Sequence, residues 1–158
     1  MTRTLFAAAL LALAAPALAH EFTLGDLRID HPYAFESSGS TGAGYMTLTN
    51  AGHAPVALVG ARSTAAPRVE IHETEVDAAG IARMIAQERV EIGPGETVVF
   101  EPQGLHVMFM GLAAPLSEGD RLPAELVFDK GAIAVEFWIE KRGAGAPAHD
   151  HGAHGHGG

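Results

Sequence analysis

Four residues, His72, Met84, His106 and Met108, carry metal-ligating side chains in a chain of 158 residues that has no cysteine. Two imidazoles and two thioethers form a donor set for soft, reduced copper. Imidazole suits several ions, but thioether sulfur selects for Cu(I) over zinc, calcium or magnesium. Cu(I) is a d¹⁰ ion without strong geometric demands, and none of the four donors has to carry a negative charge to hold it. A thiolate acceptor would outcompete thioether donors, so the set suits a metal that is held and then handed on. Such chemistry needs no general base or nucleophile, and the chain is read as a non-enzyme.

Strand geometry tests whether the four can meet. Side chains alternate faces along a strand, so residues two apart share a face. In residues 105–110 (LHVMFM) the odd positions are apolar core candidates, and the even positions put His106, Met108 and Met110 together on the other face. The second pair comes from a hairpin turning at residues 77–80. If Val76 pairs with Gly80, His72 stands directly opposite Met84. If Gly80 instead takes the left-handed position of a bulged three-residue loop, the pair becomes diagonal. Either register keeps both on one face, ~5 Å apart when opposite and ~7–8 Å on the diagonal. A lone Met on a strand is usually core filling and a lone His usually solvated; the joint placement is what argues for a site. Two strand-borne pairs then converge on one ion from adjacent edges of a sandwich, with Glu73 and Glu75 as solvated charges on the face opposite His72.

The elements that must position these residues are short β-favouring runs. They cover residues 45–49, 56–61, 69–76, 97–100, 105–110, 124–128 and 133–139. Turn signals separate them at roughly the 8–12-residue spacing of an all-β sandwich or barrel. Residues 39–44 are read among those turns. The stretch 81–90 reads as a hairpin strand, since the tight turn before it leaves little room for a helix. This predicts one β-sandwich from about residue 22 to 141, inside a domain of residues 20–142.

Both ends differ from that domain. Residues 1–19 read as a signal peptide: Arg3 as the basic start, residues 5–14 (LFAAALLALA) as the apolar stretch and residues 17–19 (ALA) as the cleavage site. The apolar run falls short of the ~20 residues a membrane span requires. Residues 143–158 (GAGAPAHDHGAHGHGG) cannot bury enough apolar surface to offset the entropy of ordering, and read as a disordered His-rich tail. The product is therefore expected to be exported to the periplasm, without stable membrane insertion.

Charge and cysteine usage narrow the function further. Without Arg3, nine basic residues remain against 19 acidic, moving the formal charge from −9 to −10. Bulk charge of that sign does not attract nucleic acid or anionic lipid. The absence of cysteine removes disulfides, thiolate metal sites and thiol redox chemistry, and it excludes a blue-copper electron carrier, whose site requires a Cys thiolate.

His72, eleven residues, Met84, twenty-one residues, His106, one residue, Met108 is the spacing of the periplasmic PCu(A)C copper chaperones, which the chain resembles over nearly the whole domain. Residues 25–27 (GDL) through 31–34 (HPYA), 44–50 (GYMTLTN) and 106–112 (HVMFMGL) are similar to family blocks. In the family's opening block Trp is commoner than Tyr33, and the family often has Met directly after its first His, where this chain has Glu73. The resemblance implies a cupredoxin-like β-sandwich binding Cu(I) near its surface through His72, Met84, His106 and Met108. It also implies delivery to cytochrome c oxidase, with assembly of the CuA centre, and a transfer partner such as oxidase subunit II or a Sco-type thiol protein.

The remaining histidines suggest accessory chemistry. His149, His151, His154 and His156, with Asp150, are dense nitrogen and oxygen donors of the kind that suits Cu(II), nickel or zinc. His20 would be the new N-terminus, offering an amino group and an imidazole, and so joins them as an accessory Cu(II) donor. His31 and His53, beside turn signals, read as structural or solvated. The alternative function is a general periplasmic copper or zinc buffer that relies on this tail and has no dedicated client.

Overall fold

The computed structural model describes residues 21–143. Residues 1–19, read as a signal peptide, His20, and the tail histidines His149, His151, His154 and His156 lie outside the described residues, as does Asp150. Every regular element described is a strand: β1 (Glu21–Leu24), β2 (Leu27–Phe35), β3 (Thr41–Asn50), β4 (Val56–Arg62), β5 (Arg68–Val76), β6 (Ala82–Ala86), β7 (Val90–Ile92), β8 (Thr97–Phe100), β9 (Leu105–Met110), β10 (Arg121–Phe128) and β11 (Gly131–Glu140). The all-β expectation holds, and the stretch after residue 81 is the strand β6.

The strands form one sheet in the order β6-β5-β9-β8-β3-β2-β11-β10-β4-β7, with β1 on β2 and β9 also pairing directly with β3. Strands β9 and β11 lie far apart in that order, yet Phe109 and Phe137 meet edge to face with ring centroids 5.5 Å apart. The sheet must therefore curl until its two halves face each other. A single cluster fills the space between them, with Ile29, Leu48, Leu58, Ile92, Phe109, Leu126 and Phe137 excluded from solvent. This is the expected cupredoxin-like β fold, a half-barrel curled from one continuous sheet.

Three features depart from the sequence reading. Strands β1, β2 and β7 were not among the expected runs. The glycines in residues 39–44, read as turn signals, belong in part to β3. A Cβ on Gly44 would stand 2.6 Å from Phe137 Cε1 and 3.0 Å from Phe109 Cε2, and one on Gly42 would stand 2.7 Å from Leu116 Cδ1. Glycine serves here for close approach across the curl, a use of strand glycine that composition cannot separate from turning.

Candidate metal centre

Strands β6, β5 and β9 lie side by side, and their registers fix which residues face one another. Across β5 and β9, His72 stands opposite His106 and Glu70 opposite Met108. Across β5 and β6, Met84 stands opposite Thr74, and His72 opposite Ala86. Of the two hairpin registers open from sequence, the structure therefore takes the bulged one: Gly80 has φ 80°, and His72 and Met84 are diagonal neighbours on one face. Asp77 braces the tip, its carboxylate accepting from the amides of Ala79 and Ile81. All four sequence-predicted residues are brought to one face of three adjacent strands.

Their burial differs sharply. His106 is 4% exposed and Met108 7%. The His72 side chain is 14% exposed, whereas Met84 is 40% exposed. The sequence reading placed His106 and Met108 on a face opposite the core, and the structure buries that face as well. Strand β9 runs between β5 and β3, and a cleft of about 410 Å³ over the site is lined by the loop of residues 36–40 as well as by Tyr45, Gln103 and Arg142. Met84, His106 and Met108 line the same cleft. Met110, at the far end of the face, stands opposite Arg68.

The hydrogen bonds of the two imidazoles define their tautomers. His106 Nδ1 lies 3.0 Å from the carbonyl oxygen of Gly104. A carbonyl only accepts, so Nδ1 carries the proton and the lone pair of the neutral ring is on Nε2. His72 Nε2 lies 2.8 Å from Glu70 Oε2. This hydrogen bond is the chief cause holding the Glu70 carboxyl below its ordinary range, ahead of the opposing effect of burial and the attraction of Arg68. An ionised carboxylate accepts, so His72 donates from Nε2, and in the neutral ring the lone pair is on Nδ1. That Nδ1 is buried with no hydrogen-bond partner among the described residues, and so is Thr74 Oγ1, two residues along the same face. By contrast the fully buried Asn50 spends its amide on the carbonyls of Ala54 and Ile92 and accepts from Gly52.

A buried acceptor without a partner costs about 1–3 kcal/mol, and a bound cation would remove that cost at His72. Each imidazole donates its other N–H, one to a carboxylate and one to a backbone carbonyl, which is how metal-ligating histidines are usually held. Among the described residues no group of three or more His, Asp and Glu could hold a metal ion. The sulfurs of Met84 and Met108 are the further soft donors on this face, and a set of two nitrogens and two thioethers fits Cu(I).

Sequence reasoning missed Glu70. It lies two residues before His72, so alternation alone puts the two on one face, but only Glu73 and Glu75 were considered. Glu73 does fall on the other face, where its carboxylate accepts from Gln87 Nε2 at 3.1 Å. His31 and His53 are not part of the site; His31 pairs with Glu140 at 3.0 Å.

Known proteins place this architecture. A copper-bound PCuAC domain from PmoF2 superposes with a TM-score of 0.66 at 24% identity, over 78% of this chain and 99% of that one. The Cu(I) form of DR1885 from Deinococcus radiodurans has a TM-score of 0.53 at 28% identity, over 82% of this chain and 85% of that one. The fold is thus that of a PCuAC domain. Residues 27–139 match the family described as "Putative lipoprotein LpqE-like", and the chain belongs to this LpqE-like family. A curated relative from Leifsonia xyli subsp. xyli, named "Putative lipoprotein Lxx21020", is 35% identical over 97 residues. Those residues are 61% of this chain and 58% of that protein, so the match spans little more than half of the relative. The resemblance to PCu(A)C proteins read from residue spacing is borne out at the level of family and fold.

Proposed function

We propose that this domain is an exported copper chaperone that takes Cu(I) as cargo on His72 Nδ1, His106 Nε2 and the sulfurs of Met84 and Met108. The observation that carries the reading is the buried lone pair of His72 Nδ1, left without a partner on a ring that faces His106 in register. The copper named in the PmoF2 and DR1885 structures supports the choice of metal. The lipoprotein description of the family supports export, in keeping with the signal-like residues 1–19, and the periplasm follows as the proposed location.

Release follows from the unequal burial of the ligands. Met84, on an exposed strand, is the donor an incoming ligand reaches first, while His106 and Met108 hold the ion from beneath. Transfer then proceeds by ligand exchange, one donor at a time, toward a softer site. The client we favour is cytochrome c oxidase, through subunit II during CuA assembly or through a Sco-type thiol protein. Nothing in this exchange requires catalysis of a covalent step. The histidines of residues 149–156, with His20, are proposed as accessory Cu(II) donors.

X-ray absorption of the Cu(I)-loaded chain tests the ligands, and transfer to the soluble domain of oxidase subunit II tests the client. Mixed nitrogen and sulfur scattering that loses sulfur in Met84→Leu is expected. A copper site without sulfur would end the proposal. Normal delivery by His72→Ala combined with Met108→Leu would assign delivery to another site, such as the tail.

A further inference from the structure

We propose that Glu70 is a positioning residue of this site, holding His72 in the one tautomer that leaves the Nδ1 lone pair for the metal. Its consequence for copper rests on the function proposed above; the tautomer itself does not. Arg68, Glu70 and His72 are alternate residues of β5 and share its site face, with Glu70 directly opposite Met108. The carboxylate divides its oxygens between its neighbours. Oε1 takes the Arg68 Nε–H at 2.9 Å, and Oε2 takes the His72 Nε2–H at 2.8 Å. Arg68 thereby fixes the plane of the carboxylate, and the carboxylate fixes the plane of the imidazole.

Two penalties oppose the other tautomer. With the proton on Nδ1, the Nε2 lone pair would point at a carboxylate oxygen at hydrogen-bond distance. The Nδ1–H would then be a buried donor, at an atom for which the structure provides no acceptor. Removing Glu70 lifts the first penalty and frees the ring to turn about its χ2 bond, so that neither the tautomer nor the direction of the lone pair is set. A carboxylate behind the ring also favours donation by Nδ1, because it stabilises the partial positive charge the imidazole gains on binding a cation. The hydrogen bond from Glu70 to a proposed ligand is the one to His72, and its contribution is exerted through that ring.

The test uses the full chain with three substitutions. Long-range ¹H–¹⁵N correlation spectra of the metal-free protein read the tautomer of His72 directly. Cu(I) affinity is measured by competition against a chromophoric chelator. The expected result is a uniform Nε2–H tautomer in the unsubstituted chain that becomes mixed in Glu70→Ala, with a 10–100-fold loss of Cu(I) affinity. Glu70→Gln, whose amide oxygen can still accept from Nε2–H, should restore the tautomer and most of the affinity. A purely structural role for Glu70 predicts no change in tautomer. An Nδ1–H tautomer in the unsubstituted chain overturns the proposal, as does Glu70→Gln behaving like Glu70→Ala. His72→Ala separates the two readings. If it abolishes binding while Glu70→Ala leaves affinity intact, positioning by Glu70 is wrong and the copper site stands. If it binds Cu(I) normally, the site reading fails, and the metal-free spectra still decide what Glu70 does.

Discussion

His72 and His106 stand directly opposite each other on β5 and β9, their ring centroids 5.8 Å apart and their planes inclined at 79°. The two rings differ in one respect that bears on stability. His106 gives its Nδ1–H to Gly104 from a buried position, whereas His72 buries an Nδ1 that no described residue satisfies. His106→Ala should therefore cost about 2–4 kcal/mol in urea denaturation of the metal-free protein, as core truncations do. His72→Ala should cost about 1 kcal/mol or less, because loss of an unsatisfied buried acceptor offsets part of the lost packing. Equal costs for the two would contradict the asymmetry. Added Cu(I) should raise the stability of the unsubstituted chain through linkage, and neither variant should respond.

The methionines separate coordination from packing. Met108→Leu roughly conserves volume in a buried position and should cost under ~1.5 kcal/mol. Met84→Leu, on the exposed strand, should leave the denaturation midpoint almost unchanged. Each should lower the sulfur scattering in the copper spectrum of a folded protein, from two sulfurs to one. Loss of binding together with loss of fold would point to packing damage instead.

Acid should act at Asp129, away from the metal face. Its carboxylate accepts from the Ala57 amide at 3.0 Å and from Arg89 Nη2 at 3.1 Å, joining the turn after β10 to β4. The Ala57 hydrogen bond is the first cause holding its pKa below the ordinary 3.8, with burial opposing and Arg89 assisting. A carboxyl whose pKa is lower in the folded state stabilises above its unfolded value, and that contribution is lost as pH falls through the folded value. Asp129→Ala should thus lower the melting temperature at neutral pH. The difference from the unsubstituted chain should shrink once the pH drops below 3.8 and continue shrinking toward the depressed folded value. A difference that stays constant down to strongly acidic pH would show that the charge of Asp129 is not what matters.

Gly44→Ala tests the closure of the sheet. The new Cβ would sit 2.6 Å and 2.8 Å from two Phe137 ring carbons, so Phe137 or the backbone of β3 must move. Overpacking of this kind costs about 1–3 kcal/mol. Urea denaturation should show that loss while copper stoichiometry stays at one, since β5, β6 and β9 keep their registers. An unchanged midpoint would mean that the two halves of the sheet pack less tightly there.

The part of the site carried by alternation was legible in the sequence. Residues 105–110 show His and Met on one parity, and residues 72–84 show a hairpin whose turn allowed two registers, one of which is observed. Choosing between them required the backbone of Gly80. Gly42 and Gly44 misled because glycine marks both turns and close approaches, and which of the two it marks depends on rings from distant strands. The burial of His106 and Met108 was not legible either, since it depends on how distant strands flank β9 and which loops line the cleft above it. Glu70 was within reach: it shares the parity of His72.

Among the described residues strand β6 ends the sheet, pairs with β5 alone and is exposed along its whole length. Strand β9 has neighbours on both sides and sits over the core. Such elements open at different free energies, edge strands by local fraying and core strands only with the whole domain. The amides of residues 82–86 should therefore exchange with solvent long before those of residues 106–109. Met84 belongs to the first cooperative unit, and His106 and Met108 to the second. The molecule thus separates how firmly it stays folded from how readily it loosens its grip at one corner. Substitutions that tighten the β5–β6 hairpin should prolong the residence of a bound ion without altering the melting of the domain.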